Sequence, residues 1–356
     1  VIAPRTHVRV LGRRVPAFQA CGVTGFGVAC VLAFALVARR GLDPLVMAGL
    51  VAIAVATFLG LAWATLLAVR EERLVCYHAQ LAVAAVAAAF LTLTGHPVLA
   101  YLDPTVLGVG AFLAGGRVGC HLVGCCHGEP AARGVRYGMT HADEGFPAYL
   151  VGVPLVPVQL AESAFVAVAT LAGAVAVAAG ARPGTGVVVY AVAYAAGRGA
   201  VEAWRGDVRP SWHGVSEAQW TSLALLAAVA AGEARGTLPG PWPVPVAVAL
   251  CLAVLVAWSA RRARGLGGPA HVAELARAID VARASAGEPA VAATSRGVLV
   301  STHGDVSRVY TISLRSGTLG DEDALRLAAL VVRLRDPDAR WHVVRGALPV
   351  FHVVAS

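Results

Sequence analysis

Residues 98–128 read VLAYLDPTVLGVGAFLAGGRVGCHLVGCCHG. The run 98–115 approaches the roughly 20 apolar residues that carry a helix across a bilayer core. It passes directly into Gly116-Arg117-Val118-Gly119-Cys120, so a permanent charge stands at the end of an apolar segment. Further runs of the same kind lie at 17–38, 46–69, 79–95, 158–180, 184–204, 218–232 and 243–260, giving seven or eight spans. In lipid every backbone amide must be satisfied internally, so the expected fold is an all-α polytopic membrane bundle. Its spans are rich in Ala, Gly and Val, which let helix backbones approach closely.

Composition agrees with a membrane protein and excludes a disordered chain. The apolar fraction is 58%, the charged fraction 14%, and the mean hydropathy +0.70. The net charge of +8 comes from Arg in short loops between apolar runs, a pattern of membrane topology rather than of a nucleic-acid groove. No Lys or Asn occurs, as codon bias in a GC-rich genome would give. The first run, followed by Arg39-Arg40, reads as a retained span and not a cleaved leader. After Gly265 the pattern changes. Helical periodicity at 270–285 and 321–335 alternates with strand-like stretches at 297–302, 309–314, 341–345 and 350–354. The expected division is a transmembrane domain over 1–265 and a small α+β tail over 266–356. His303, His342 and His352 read as strand residues rather than ligands.

Four segments carry chemistry. In the first, a charge at Arg117 needs a partner or a wet cavity, and its guanidinium can fork onto a phosphate; snorkelling at a helix end is the plain alternative. In the second, Tyr194 to Asp207, Arg198 and Glu202 are four apart and Arg205 three further on, all on one helical face. Arg198 lies inside the apolar run, which marks a substrate path or a structural ion pair. The third is His78, which near arginines and a phosphate could accept a proton. The fourth turns the chain into a span and places Gln159 and Glu162 on nearly one face.

The order of these segments resembles the prolipoprotein diacylglyceryl transferase family of bacterial inner membranes, over about residues 10–235. Gly116-Arg117-Val118-Gly119 is similar to the family's GRxGN signature and Pro157 to Glu162 to its HPTQLYE turn. Tyr194 to Asp207 is similar to its YxxxRxxxExxRxPD helix, and His78 falls where the family has a His. The resemblance implies transfer of diacylglycerol from phosphatidylglycerol to the lipobox Cys thiol in the signal-peptide region of a preprolipoprotein. A thioether forms and glycerol phosphate leaves, with no cofactor, metal or nucleic acid required. The implied catalytic residues are His78 as base, Arg117 and Arg198 on the phosphate, and Glu202 orienting Arg198. Gly116, Gly119, Cys120, Gln159, Glu162, Tyr194 and Arg205 are the implied substrate-binding positions.

The chain departs from the family at several positions. Cys120 replaces the Asn after GRxG, Val156 the His of the turn, and Ala161 its Tyr, while Cys125 and Cys21 stand near a family Glu and Tyr. These changes fall on the acceptor side. They leave open a related transferase with another acceptor, or a non-catalytic lipid- or metal-binding membrane protein with a signalling tail. Cys120, His121, Cys125, Cys126, His127 and His141 have zinc-ligand chemistry, but the adjacency of Cys125 and Cys126 is awkward for one tetrahedral site. The family's seven spans would put the long loop 116–157 outside and the tail inside, beside the arginines at 261–264; segment 243–260 as an additional span would put the tail outside, and the inside tail is the favoured expectation.

Overall fold

The computed structural model describes residues 3–70, 76–284, 291–302, 309–315, 317–346 and 350–356. His303 and residues 71–75 of the polar segment before His78 lie outside the described residues. The chain opens with a hairpin of β1 (His7–Val10) and β2 (Arg13–Pro16). Four helices follow: α1 (Ala17–Arg39), α2 (Pro44–Val69), α3 (Cys76–Leu93) and α4 (Val98–Val123). The segment after α4 holds β3 (Pro130–Val135), the short α5 (Met139–Ala142) and a single 3-10 turn at Ala148–Leu150. Next come α6 (Val158–Ala178), α7 (Thr185–Val201), the two-residue strands β4 (Ser211–Trp212) and β5 (Val215–Ser216), α8 (Glu217–Ala234) and α9 (Pro243–Ala263).

The expected helical bundle with a small sheet-bearing tail is what forms. Five helices, α1, α2, α4, α6 and α9, are long and apolar enough to cross a membrane, and α3 is a shorter apolar helix. Small residues bring α1 and α4 into the closest approach: a Cβ on Gly115 would lie 2.9 Å from the Cα of Gly25. Lipid tails offer helices no hydrophobic drive to associate, so this backbone proximity supplies dispersion contact instead.

Helix ends are satisfied by neighbouring helices. Asp103, buried within α4, accepts from the amides of Gly184 (2.8 Å) and Val187 (2.9 Å) at the start of α7. Arg39 and Arg40 at the end of α1 donate to the carbonyls of Ala178 and Val177 at the end of α6. Ser216 and Gln219 form a capping box on α8, and the Gln219 amide reaches Ser259 of α9 at 2.9 Å. These contacts place the turns at 40–43, 94–97, 179–184 and 235–242 at one end. The N-terminal hairpin, the segments 124–157 and 202–216, and the tail share the other.

The tail comprises α10 (Pro269–Ala284), β6 (Val291–Ala293), β7 (Val298–Thr302), β8 (Val309–Leu314), α11 (Asp321–Arg335), β9 (Trp341–Arg345) and β10 (Val350–Ala355). Its antiparallel sheet has the order β6-β7-β8-β10-β9. Val300, Ile312 and Phe351 stand in register and are buried, the period-two alternation of a one-faced sheet. Leu275, Ile279, Leu327 and Val331 of the two helices pack in the same core.

That core does not end with the tail. Val135, Tyr137, Phe146, Leu150 and Leu155 of the long segment after α4 belong to it. Arg335 donates to the Tyr149 carbonyl, and Arg136 pairs with Asp338. The tail therefore sits on the same side as that segment, against the expectation of a seven-span bundle with the two on opposite sides. The physical reason is α9, which packs on α7 and α8 and returns the chain to that end. A second correction concerns α4. It does not stop at the apolar run but continues through Arg117 to Val123, so Arg117 is an interior helix residue.

Candidate active site

Three of the last carbonyls of α4 find partners outside the helix ladder. Gly124, left-handed at φ 83°, caps the helix with its amide on the Cys120 carbonyl at 3.0 Å. The Tyr137 hydroxyl donates to the His121 carbonyl at 3.0 Å. The Leu122 carbonyl receives the Arg5 amide at 2.9 Å and contacts the His141 ring at 3.2 Å. Gln159 of α6 donates to the Cys125 carbonyl at 2.9 Å. His127 and Gly128 then pair with the segment after α7: the Gly206 amide donates to the His127 carbonyl and the Glu129 amide to the Trp204 carbonyl, both at 3.0 Å. Only glycine permits this crossing, because a Cβ on Gly206 would fall 2.3 Å from the Gly128 oxygen.

Helix packing and this crossing together bring three arginines onto one carboxylate, Arg117 and Arg198 from α4 and α7 and Arg205 through the crossing. Glu162 of α6 has no exposed surface. Its Oε1 lies 3.0 Å from Arg117 Nε and 3.7 Å from Arg198 Nε, and its Oε2 lies 3.9 Å from Arg205 Nη1. Arg198 also binds Glu202 at 2.5 Å, the pair spaced four apart in sequence. Arg205 binds Asp207 at 2.8 Å, and Asp207 binds Arg209 at 2.7 Å. Four guanidinium groups thus face three carboxylates, and the cluster is net positive. Burial alone would raise Asp207, but Arg205 and Arg209 hold it below the usual carboxylate range. Burial alone would lower Arg205, and Asp207 more than offsets it. Burial lowers His127, whose Nδ1 lies 3.0 Å from the Gly128 oxygen.

Beside the arginines the sulfurs of Cys120, Cys125 and Cys126 lie within 4.8 Å of one another. Arg117 Nη1 is 3.9 Å from Cys120 Sγ, and Arg209 Nη2 is 3.6 Å from Cys126 Sγ. Hydrogen bonding to Cys120 and Cys125 comes first in holding Cys126 below the ordinary thiol range, with Arg205 and Arg117 adding to it.

Of two cavities, one is lined by residues of the cluster and the other lies among the helices without touching it. A polar cleft of about 170 Å³ is lined by Glu129, Glu202, Arg205, Asp207, Arg209 and Arg262. An apolar cavity of about 180 Å³ lies among α1 to α4, lined by Phe26, Met47, Leu50, Phe58, Val83 and Phe112.

Of the residues expected from sequence, Arg117, Glu162, Arg198, Glu202, Arg205 and Cys120 come together. Gln159 holds the Cys125 carbonyl, and Tyr194 stacks on Tyr190 at 5.6 Å and meets Tyr77 at 5.2 Å. Gly119 packs against Cys21 and Phe18 of α1, and Gly116 has open space beside it. The structure does not bring His78 in. Tyr77 points inward, so His78, about 100° further round the helix, points out. Its Nε2 pairs with Glu217 at 2.9 Å, both side chains being about half exposed. Asp207 closed the second segment without a role of its own, and Arg209 was not expected in the site. Their signal was the run of alternating charge after Arg205, which reads equally as a solvated loop.

A family model described as prolipoprotein diacylglyceryl transferase matches residues 13–233. The chain belongs to this family. The matched stretch runs from β2 to the last turn of α8 and contains every charged residue of the cluster, while α9 and the tail lie beyond it. A comparison with curated proteins gives no match. The protein is accordingly a multi-pass membrane transferase of lipoprotein biosynthesis.

Proposed function

We propose that this transferase moves diacylglycerol from phosphatidylglycerol to a lipobox cysteine at the outer side of a bacterial inner membrane. The observation that carries the reading is the convergence of Arg117, Arg198 and Arg205 on buried Glu162. Charged groups within a lipid-bounded bundle mark a substrate path. Glu162 lets three like charges gather before a ligand arrives, and the surplus guanidinium suits a singly charged phosphodiester. The apolar cavity among α1 to α4 suits acyl chains, and the polar cleft suits the glycerol headgroup.

In the reaction the acceptor sulfur attacks the glycerol methylene carbon that bears the phosphate. The S–C bond forms as the C–O bond breaks, and the phosphate oxygen keeps the electron pair. Charge then grows on the departing glycerol phosphate. Donors fixed in a site poor in water stabilise such charge without reorganising. Arg117 and Arg198 take that role, Glu202 fixes the rotamer of Arg198, and Arg205 guides the headgroup from the cleft.

In this reading the shorter α3, α7 and α8 cross the bilayer along with the five longer helices, and the tail shares the outer side with the 124–157 segment. The test is transfer by the purified full-length protein from phosphatidylglycerol to a lipobox peptide, read as a mass increase on the cysteine. Loss of that increase in Arg117→Ala and Arg198→Ala, in protein whose thermal melt shows that it still folds, is the expected result. Normal transfer by both variants, or none by the unmodified protein, overturns the reading.

A further inference from the structure

Cys120 in the last turn of α4 and Cys125 and Cys126 just after it take no role in the phosphate clamp proposed above. In sequence their spacing disfavours a common site, because neighbouring side chains in extended or helical backbone diverge. The fold removes that objection. Gly124 and Cys126 both take left-handed backbone, at φ 83° and 57°. This double turn sets Cys125 and Cys126 back against Cys120 in the last turn of α4, and the three sulfurs gather within 4.8 Å. A tetrahedral zinc site with Zn–S bonds of about 2.3 Å sets sulfurs about 3.8 Å apart, within the reach of rotamer adjustment.

We propose that Cys120, Cys125 and Cys126 form a three-thiolate site for zinc or a similar borderline-soft divalent ion, with its fourth position open to the sulfur of the acceptor cysteine. Three ligands and one open position is the pattern of catalytic rather than structural zinc. Among the described residues the group of possible ligands holds these three cysteines and no histidine. Both ring nitrogens of His141 are taken, one by the Leu122 oxygen and one by the Gly138 amide. Cys125 is exposed, so the open position is reached from outside. Three thiolates around a divalent ion carry one negative charge, and Arg117 and Arg209 face the sulfurs at 3.9 and 3.6 Å. Such outer partners tune a metal centre as well as its ligands do.

The assignment of the fourth ligand rests on the transferase reading, and the metal site itself does not. On binding, the acceptor thiol gives its proton to solvent and becomes a metal-bound thiolate. That sulfur forms the S–C bond to the glycerol carbon, and the C–O electron pair leaves with the phosphate. The thioether is a weaker ligand, so the product departs and water takes its place. The site thus supplies the deprotonation that His78, paired outward to Glu217, does not.

The test is metal content of the full-length protein, purified reduced in detergent after growth with zinc. About one zinc per chain is expected. Cys120→Ser, Cys125→Ser and Cys126→Ser should each weaken binding by more than the roughly 10–100-fold typical of an outer-shell change. Cys251→Ser, on the lipid-facing side of α9, should retain the metal, and thermal melts separate ligand loss from unfolding. Cobalt-loaded protein should show thiolate-to-metal absorption that shifts when a lipobox peptide is added. Metal-free protein, or metal retained in the three Ser variants, overturns the site. An unshifted cobalt spectrum overturns the fourth-ligand assignment. Lipid transfer by metal-stripped protein overturns the metal's role and leaves the transferase reading intact. Zinc-bound protein that takes up the peptide sulfur but transfers nothing strikes the transferase reading and leaves the site.

Discussion

The bundle and the tail are held together by opposite means. In the bundle, helices meet through Gly25 and Gly115, and buried ions meet at Glu162. In the tail, Ile312, Leu327, Val331 and Phe351 close an aliphatic core, and most ion pairs are exposed, such as Arg326 with Glu322. The difference follows from the solvent. Water drives large apolar side chains together, whereas lipid does not, and the bundle must rely on close backbone approach and on polar groups that lipid cannot hydrate. Burial of charge in the bundle is costly, so its survival there points to function; burial in the tail is ordinary and points only to stability.

That contrast is open to direct attack. The largest effect should come from the charged cluster. Arg117→Ala or Arg198→Ala should lower lipid transfer by about 10²–10³-fold, the loss seen when one charge-stabilising donor is removed. Glu162→Gln should instead cost about 3–5 kcal/mol of stability by leaving buried guanidiniums unpaired, read as a lower melting temperature in detergent. If Glu162→Gln melts normally, the cluster is wetter than its burial indicates and the contrast weakens. Leu327→Ala in the tail should cost about 2–5 kcal/mol, read as faster hydrogen exchange in α10 and α11 with little change in α4. Gly115→Val should cost about 1–3 kcal/mol through overpacking, read as a lower melt of the bundle; the same change at exposed Gly27 of α1, which has open space beside it, should not lower the melt.

The smallest effect is expected with pH. His271 in α10 is buried, with Nδ1 2.6 Å from the Leu266 oxygen and Nε2 2.9 Å from Thr294 Oγ1. Burial holds it below the ordinary histidine value. The unfolded chain therefore takes up a proton first, near pH 6.5, and the tail loses stability as pH falls below that value and until the folded form also titrates. Hydrogen exchange in α10, corrected for intrinsic rates, should rise between about pH 6.5 and 5.5. His271→Gln should flatten that dependence.

Much of the site was legible in sequence because its signals are local. Arg198 and Glu202 are four apart on a helix and do pair. Arg117 at the end of an apolar run called for a partner, a wet cavity or a snorkelling position, and it has a buried partner. The partner's identity was less legible. Glu162 was expected only to lie near the substrate, and its position among three arginines depends on helix packing together with the crossing of Gly128 and Gly206. His78 was drawn in by its chemistry, yet one residue of helical rotation gives the inward position to Tyr77. The N-terminal hairpin went unread because its Arg-rich strands lack an apolar face, and the extension of α4 because glycines and polar residues mimic a helix end.

By itself the sequence determined what any short window encodes: apolar length, helical and strand periodicity, and charges that lipid cannot leave unpaired. These fixed a helical membrane bundle, a small α+β tail and the candidate arginines. Only the tertiary structure decided which carboxylate gathers those arginines, that three cysteines share one place, and that the tail sits on the segment following α4. Each of these joins residues far apart in the chain, through left-handed turns, glycine crossings and the return of α9. No local pattern records a meeting set by how distant backbones pass one another.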